Sequence, residues 1–253
     1  MMFSTTLVRA PRAAAATIHL AISAAIALTL LAAFWFIWYP APLFRASGGT
    51  EIFMMLLGID ATLGPLMTLI VFKPRKKSLK FDLAVIGLVQ AAALAYGVHV
   101  LLAGRPVYVA SLGHRFDLIQ ANEIDPANLQ VAGKTLPWFG PQWVGYKRPT
   151  DKQERDRLMF SSLGGVDYGH YAQHHAPLET MREEILKNSK SIADLRKLNS
   201  VRDSEITAWL RDHGQTDDSV IFQGLKARAE DMAVILDAKT AKVIGIAPFK
   251  PWD

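Results

Sequence analysis

Two stretches of this chain place chemically capable side chains where their neighbours make them conspicuous. The first is "DYGHYAQHHAP", which holds His170, His174 and His175. Residues four apart share a face of a helix, so His170 and His174 have the spacing of a zinc pair. However, Gly169 and Pro177 bracket the stretch and leave room for about two helical turns. Tyr171 also stands where a zinc-peptidase motif would need its glutamate. These histidines therefore read as exposed or loop-packing residues. The chain lacks G-x-S-x-G, a Walker loop and a dinucleotide fingerprint. It contains no cysteine, which excludes disulfides, thiolate metal sites and cysteine nucleophiles. The expectation is a protein that is not an enzyme, with no catalytic residue, no cofactor and no metal.

The second stretch, "MMLLGIDATLGPLMTLIVFKPRKKSLKFD", begins as an apolar run and ends in positive charge. Asp60, Gly64 and Pro65 lie inside the apolar part. The 253-residue chain is 51% hydrophobic, and its long apolar runs lie in the first hundred or so residues. Three are long enough to span a bilayer, which takes about 20 apolar residues. They cover about 17–39, 52–72 and 81–103. The first is longer than a signal-peptide core and ends in bulky aromatics, so it reads as a retained span. Asp60 lies roughly 14 Å into the second span at 1.5 Å per residue. A carboxylate there costs about 2.5–3.5 kcal/mol on insertion scales. Pro65 lacks an N–H and frees the carbonyl of Ala61, and Gly64 permits close helix approach. Gln90 and Tyr96 on the third span fall at comparable depth. Asp60, Gly64, Pro65, Gln90 and Tyr96 thus form an expected polar packing site. It is read either as a structural knot or as a place for a partner. Gly58, Ala61 and Gly64 are expected to share roughly one face.

Orientation follows from the flanks. Lys73, Arg75, Lys76, Lys77 and Lys80 form a basic loop between the second and third spans, and such loops stay in the cytoplasm. Phe34, Trp35, Phe36, Trp38 and Tyr39 form an aromatic belt at the far end of the first span. The expected localisation is a bacterial inner membrane, multi-pass, with the N-terminus cytoplasmic and residues 104–253 periplasmic. The net charge of +5 comes largely from the basic loop, so orientation explains it without nucleic acid.

Residues 1–103 are therefore expected to form a membrane domain of three transmembrane helices. Residues 104–253 are expected to form a mixed α+β extracytoplasmic domain. In the latter, Val107–Leu112 and Arg115–Ala121 flank Gly113-His114 as a hairpin. "TLPWFGPQWVGYKRPT" reads as an ordered loop. Thr150 and Gln153 suggest a capping box before a helix stopped by Gly164-Gly165. Helices are expected at about Leu178–Asn188, Ile192–Leu198 and Asp203–Asp212. Met232–Leu236 and Lys242–Ile246 read as a closing hairpin.

The runs "LLGIDATLGPLMTLIVFKPRKKSLKFDLAVIGLVQAAALAYG" and "AGRPVYVASLGHRF", with the closing "MAVILDAKTAKVIGIAPFKPW", resemble the type IV pilin accessory protein family, TfpX/TfpZ type. The shared pattern runs through Asp60, Gly64, Pro65, Lys73, Lys77, Ser78, Asp82, Arg105, Pro106 and Tyr108. The resemblance implies an inner-membrane, chaperone-like accessory protein that binds and stabilises unassembled type IV pilin, in contact with inner-membrane lipids. No active site comes with it. The alternative is a membrane-anchored periplasmic sensor, which requires a concave pocket with converging polar groups.

Overall fold

The computed structural model describes residues 3–163 and 166–252. The chain divides into two compact units, residues 1–36 with 49–102, and residues 37–48 with 103–253. In the first unit, helix α1 (Phe3–Ala33) runs into a π-type turn at Phe34–Trp38. After the short α2 (Leu43–Ala46), the chain returns to this unit as α3 (Gly49–Val71) and α4 (Leu79–Ala103). Three helices are long and apolar enough to cross a membrane: Pro11–Trp38, Gly49–Val71 and Leu79–Ala103. They match the three expected runs, although α1 begins well before residue 17. Pro65 sits inside α3 without ending it.

The second unit is a mixed α/β domain. Its strands are β1 (Pro106–Ser111), β2 (Phe116–Gln120), β3 (Gln142–Tyr146), β4 (His175–Ala176), β5 (Lys190–Ser191), β6 (Val220–Lys226), β7 (Met232–Asp237) and β8 (Val243–Ala247). Its helices are α5 (Pro126–Ala132), α6 (Lys152–Leu163), α7 (Arg182–Asn188), α8 (Ile192–Leu198) and α9 (Asp203–Asp212). One sheet runs in the order β4-β3-β1-β2-β6-β7-β8, with β5 pairing β6 off that path. The β1–β2 and β7–β8 hairpins are antiparallel, as expected, while β1–β3 and β2–β6 are parallel.

Both faces of the sheet are covered, and β7 shows why. Successive side chains point to opposite faces. Met232, Val234 and Leu236 enter one core with Val109, Phe116, Met181 and Ile185. Ala233 and Ile235 enter another, with Ile192 and Leu195 of α8 and Ile206 and Leu210 of α9. A strand buried on both faces reads as a continuous apolar run, as "MAVIL" does. Residues 37–48 belong to this unit through specific bonds. Leu43 and Ala46 join the first core. The Ala46 carbonyl accepts from the Ala229 N–H at 2.9 Å, the Gln120 Nε2 donates to the Ser47 carbonyl at 2.9 Å, and Arg45 pairs with Glu230.

Several expectations need correction. The stretch read as an ordered loop contains β3. Gly145 in that strand is required because a Cβ there would lie 2.6 Å from Met181 Cγ. The helix after Thr150 is capped by Asp151, whose Oδ2 accepts from the Glu154 N–H at 2.8 Å, and not by a Thr150–Gln153 box. Its expected stop at Gly164-Gly165 lies outside the described residues. Leu178–Met181 is a 3₁₀ turn, and α7 starts only at Arg182. By contrast, α8 begins after Ser191, whose Oγ accepts from the Asp194 N–H at 3.3 Å.

Gly224 in β6 sits under the Trp252 ring, and a Cβ at that position would lie 1.7 Å from Trp252 Cζ3. The ring is held by its Nε1–H, which donates to Asp231 Oδ2 at 3.0 Å. Gly224→Ala should therefore cost about 1–3 kcal/mol, the usual range for overpacking. Urea unfolding of the full chain in detergent measures it. A wild-type midpoint would show that Trp252 can leave its seat freely.

Candidate functional site

The buried side of α3 is a stripe of Phe53, Leu56, Asp60, Gly64 and Thr68. The three- and four-residue steps place them on one helix face. Gly64 faces α4 closely, since a Cβ there would lie 2.1 Å from Gln90 Nε2. Gln90 lines the same cavity as Asp60. Asp60 is buried, and its Oδ1 has no hydrogen-bond partner among the described residues. Asp60, Gly64 and Gln90 thus lie close together, with Pro65 next in the chain. Tyr96 does not join them: it is 71% exposed and lies outside the cavity lining. The small residues also divide. Gly64 is packed, whereas Gly58 has nothing within 4 Å of its would-be Cβ, so the two do not share a face as expected.

Sequence reasoning passed over His19. Its Nδ1 lies 2.7 Å from the buried Thr68 Oγ1, which ties α1 to α3. With Ser23, Asp60, Gly87 and Gln90 it lines a cavity of about 210 Å³ among the three helices. The signal was available, because a titratable residue inside the apolar run "TIHLAIS" carries the same cost that drew attention to Asp60. A carboxylate oxygen without a partner, beside an imidazole and an amide, is a ready acceptor for a hydrogen-bond donor entering from outside.

Asp60→Asn should keep this cluster better than Asp60→Leu. Asparagine retains hydrogen-bonding atoms, whereas leucine leaves the Gln90 amide unmatched. The difference should be roughly 1–3 kcal/mol, the cost of an unsatisfied buried polar group. Unfolding of both variants in detergent tests it, and equal midpoints would rule out the polar knot.

The basic loop lies between α3 and α4. Lys76 pairs with Asp82 at 2.5 Å, and the Ser78 hydroxyl donates to the same carboxylate at 3.1 Å. Lys73, Arg75, Lys77 and Lys80 are left as the loop's remaining cations.

In the C-terminal unit the three histidines occupy separate settings on 3₁₀ turns and β4. The His170 Nδ1–H donates to the Asp167 carbonyl at 3.0 Å. His174 Nε2 lies 3.3 Å from Glu154 Oε1. The His175 Nε2–H donates to the Gly169 carbonyl at 2.6 Å, and its ring meets the edge of Tyr108 at 4.6 Å between centroids. Among the described residues, no group of three or more His, Asp or Glu is placed to hold a metal. A separate cleft of about 390 Å³ is lined by His114, Tyr146, Arg148, Arg155, Tyr168 and Glu184. Tyr146 and Tyr168 stack there at 5.2 Å. Burial, with help from the neighbouring Tyr168, pushes the Tyr146 hydroxyl up to about 12, so it serves as a neutral donor.

Comparison with known proteins gives three relatives, all from Dichelobacter nodosus. The chain is 26% identical over 227 residues to the fimbrial assembly protein of serogroup I, covering 87% of this chain and 88% of that one. It is 26% identical over 227 residues to that of serogroup E1, with the same coverage. It is 35% identical over 94 residues to that of serogroups C1 and C2, covering 36% of this chain and 72% of the relative. No family model matches the chain, and no solved structure matches it.

Proposed function

The chain belongs to the fimbrial assembly protein family, and on that premise we propose that it is a non-enzymatic accessory protein of the TfpX/TfpZ type that holds unassembled type IV pilin in the inner membrane. The observation that carries this reading is the similarity to fimbrial assembly proteins along 87% of the chain. The rest of the reading follows from physics. Three helices long and apolar enough to cross a bilayer support an inner-membrane, lipid-contacting protein. The basic loop at 73–80 supports an N-terminus inside and the α/β unit in the periplasm.

A pilin awaiting assembly presents an apolar helix and a globular head. The helix is received by α1, α3 and α4. Gly58 and Gly87 leave open space at the helix surface for close approach. The unpaired Asp60 Oδ1 accepts a donor from the incoming helix. The α/β unit meets the head. Tethering makes the second contact effectively intramolecular, so each half can be weak and still release pilin to the growing pilus.

Photo-crosslinking tests the reading. Photoreactive residues replacing Gly58 or Gly87, and Phe160 on the exposed side of α6, should each trap pilin in cells. Absence of a pilin adduct from every position would overturn it. A ligand sensor is the second reading, favoured by the cleft around Tyr146 and Arg148. It predicts normal pilin levels when Arg148 and Arg155 are both replaced by alanine, together with altered pilus regulation.

A further inference from the structure

The C-terminal unit exposes an aromatic pair on a loop that is built rigidly. Residues 133–141 read "GKTLPWFGP". Gly133 and Gly140 adopt positive φ values of 61° and 48°, and two prolines restrict the backbone between and after them. Leu136 packs against the core around Val107 and Tyr108, which pins the loop from below. Trp138 and Phe139 nonetheless stand 57% and 72% exposed. A rigid loop that holds two large aromatics in water needs a partner that rewards their exposure.

The loop's bonds indicate that partner. The Gly140 N–H donates to the Ile37 carbonyl at 3.1 Å. The Trp138 ring meets Trp38 edge-on at 6.2 Å. Trp38 is the last residue of the first candidate span. The Arg105 guanidinium lies 5.4 Å over the Trp138 ring, and its Nη2 donates to the Pro137 carbonyl at 3.4 Å. The exposed pair is therefore continuous with the aromatic end of an apolar helix and has a cation beside it. Aromatic rings with a polar edge collect at the membrane–water interface, where guanidinium groups meet lipid phosphates.

We propose that the Trp138–Phe139 loop inserts into the headgroup region of the bilayer, as a second anchor for the α/β unit beside the end of the first span. This inference requires only that the chain spans a membrane, and it stands apart from the pilin reading. Lipid is the occupant favoured over protein because the loop is bonded to residues that themselves end a span.

The absence of cysteine makes the test clean. Phe139→Cys and, separately, Trp138→Cys are spin-labelled in the full chain and reconstituted into phosphatidylethanolamine–phosphatidylglycerol liposomes. Val201→Cys, at a 96% exposed position of the same unit, is the aqueous reference. Collision with oxygen, relative to a water-soluble nickel chelate, should be several-fold higher at 138 and 139 than at 201. Ratios equal to that at 201 would overturn the proposal. Labels shielded from both colliders would also overturn it, because they would show protein covering the loop.

Discussion

Gly64→Leu should disrupt the polar cluster of the helical unit more than any other single change in it. Even a Cβ at this position would lie 2.1, 2.7 and 2.8 Å from three atoms of the Gln90 amide. The Gln90 side chain can swing away, but it then leaves the cavity it lines with Asp60, whose Oδ1 has no hydrogen-bond partner among the described residues. The remaining leucine atoms must enter space that α4 fills. Overpacking costs about 1–3 kcal/mol, and an orphaned buried polar group costs about 1–3 kcal/mol more. The combined loss should be about 2–6 kcal/mol, within reach of the whole stability of an ordinary domain. A double-mutant cycle with Gln90→Ala separates the causes. In that background Gly64→Leu should cost markedly less. An equal cost in both backgrounds would show that Gly64 and Gln90 do not touch.

Acid should weaken the α/β unit through His175. Its imidazole is half-buried with Nδ1 shut off from solvent, its Nε2–H is committed to the Gly169 carbonyl, and that Nδ1 has no partner among the described residues. Burial pushes it down to about 4, with Lys134, His170 and His174 adding to the repulsion of a proton. The unfolded histidine binds its proton near 6.5. The stability from keeping this ring neutral is thus complete above pH 6.5. It declines as pH falls and is lost below about 4. At about 1.4 kcal/mol per pKa unit, the full loss is roughly 3 kcal/mol. Carboxylates titrate over part of the same window, so the difference between wild type and His175→Gln is the informative quantity. That difference should shrink by roughly 3 kcal/mol between pH 7 and pH 4. A pH-independent difference would mean that the folded chain protonates His175 freely.

What was legible in the sequence followed from regular patterns. The three long apolar runs, the hairpin around Gly113-His114, helix α8 after Ser191 and the closing hairpin each carry an unbroken periodicity or a cap. What was missed depends on contacts between residues far apart in the chain. Strand β6 was hidden because Gln223 and Gly224 interrupt its apolar pattern. Gln223 is buried and its Nε2 donates to the carbonyls of Gly113 and Ile185, while Gly224 makes room for Trp252. Strand β3 was hidden by Pro, Gly and aromatic neighbours that resemble a loop. At the candidate site, Asp60 and Gln90 were found because a polar residue in an apolar run is costly wherever it sits. His19 met the same criterion and was overlooked because it lies near the start of its run. Tyr96 was included on depth alone, and helix rotation carries it away from the cluster.

The proposed protection of unassembled pilin is tested by the half-life of pilin in the membrane. Pulse–chase labelling would follow pilin in cells carrying the wild-type chain, in cells lacking it, and in cells carrying the Gly64→Leu variant, with pilin transcript measured in parallel. Pilin should decay several-fold faster without the chain, and Gly64→Leu should move its half-life most of the way there, while transcript stays constant. An unchanged pilin half-life in cells lacking the chain would contradict it.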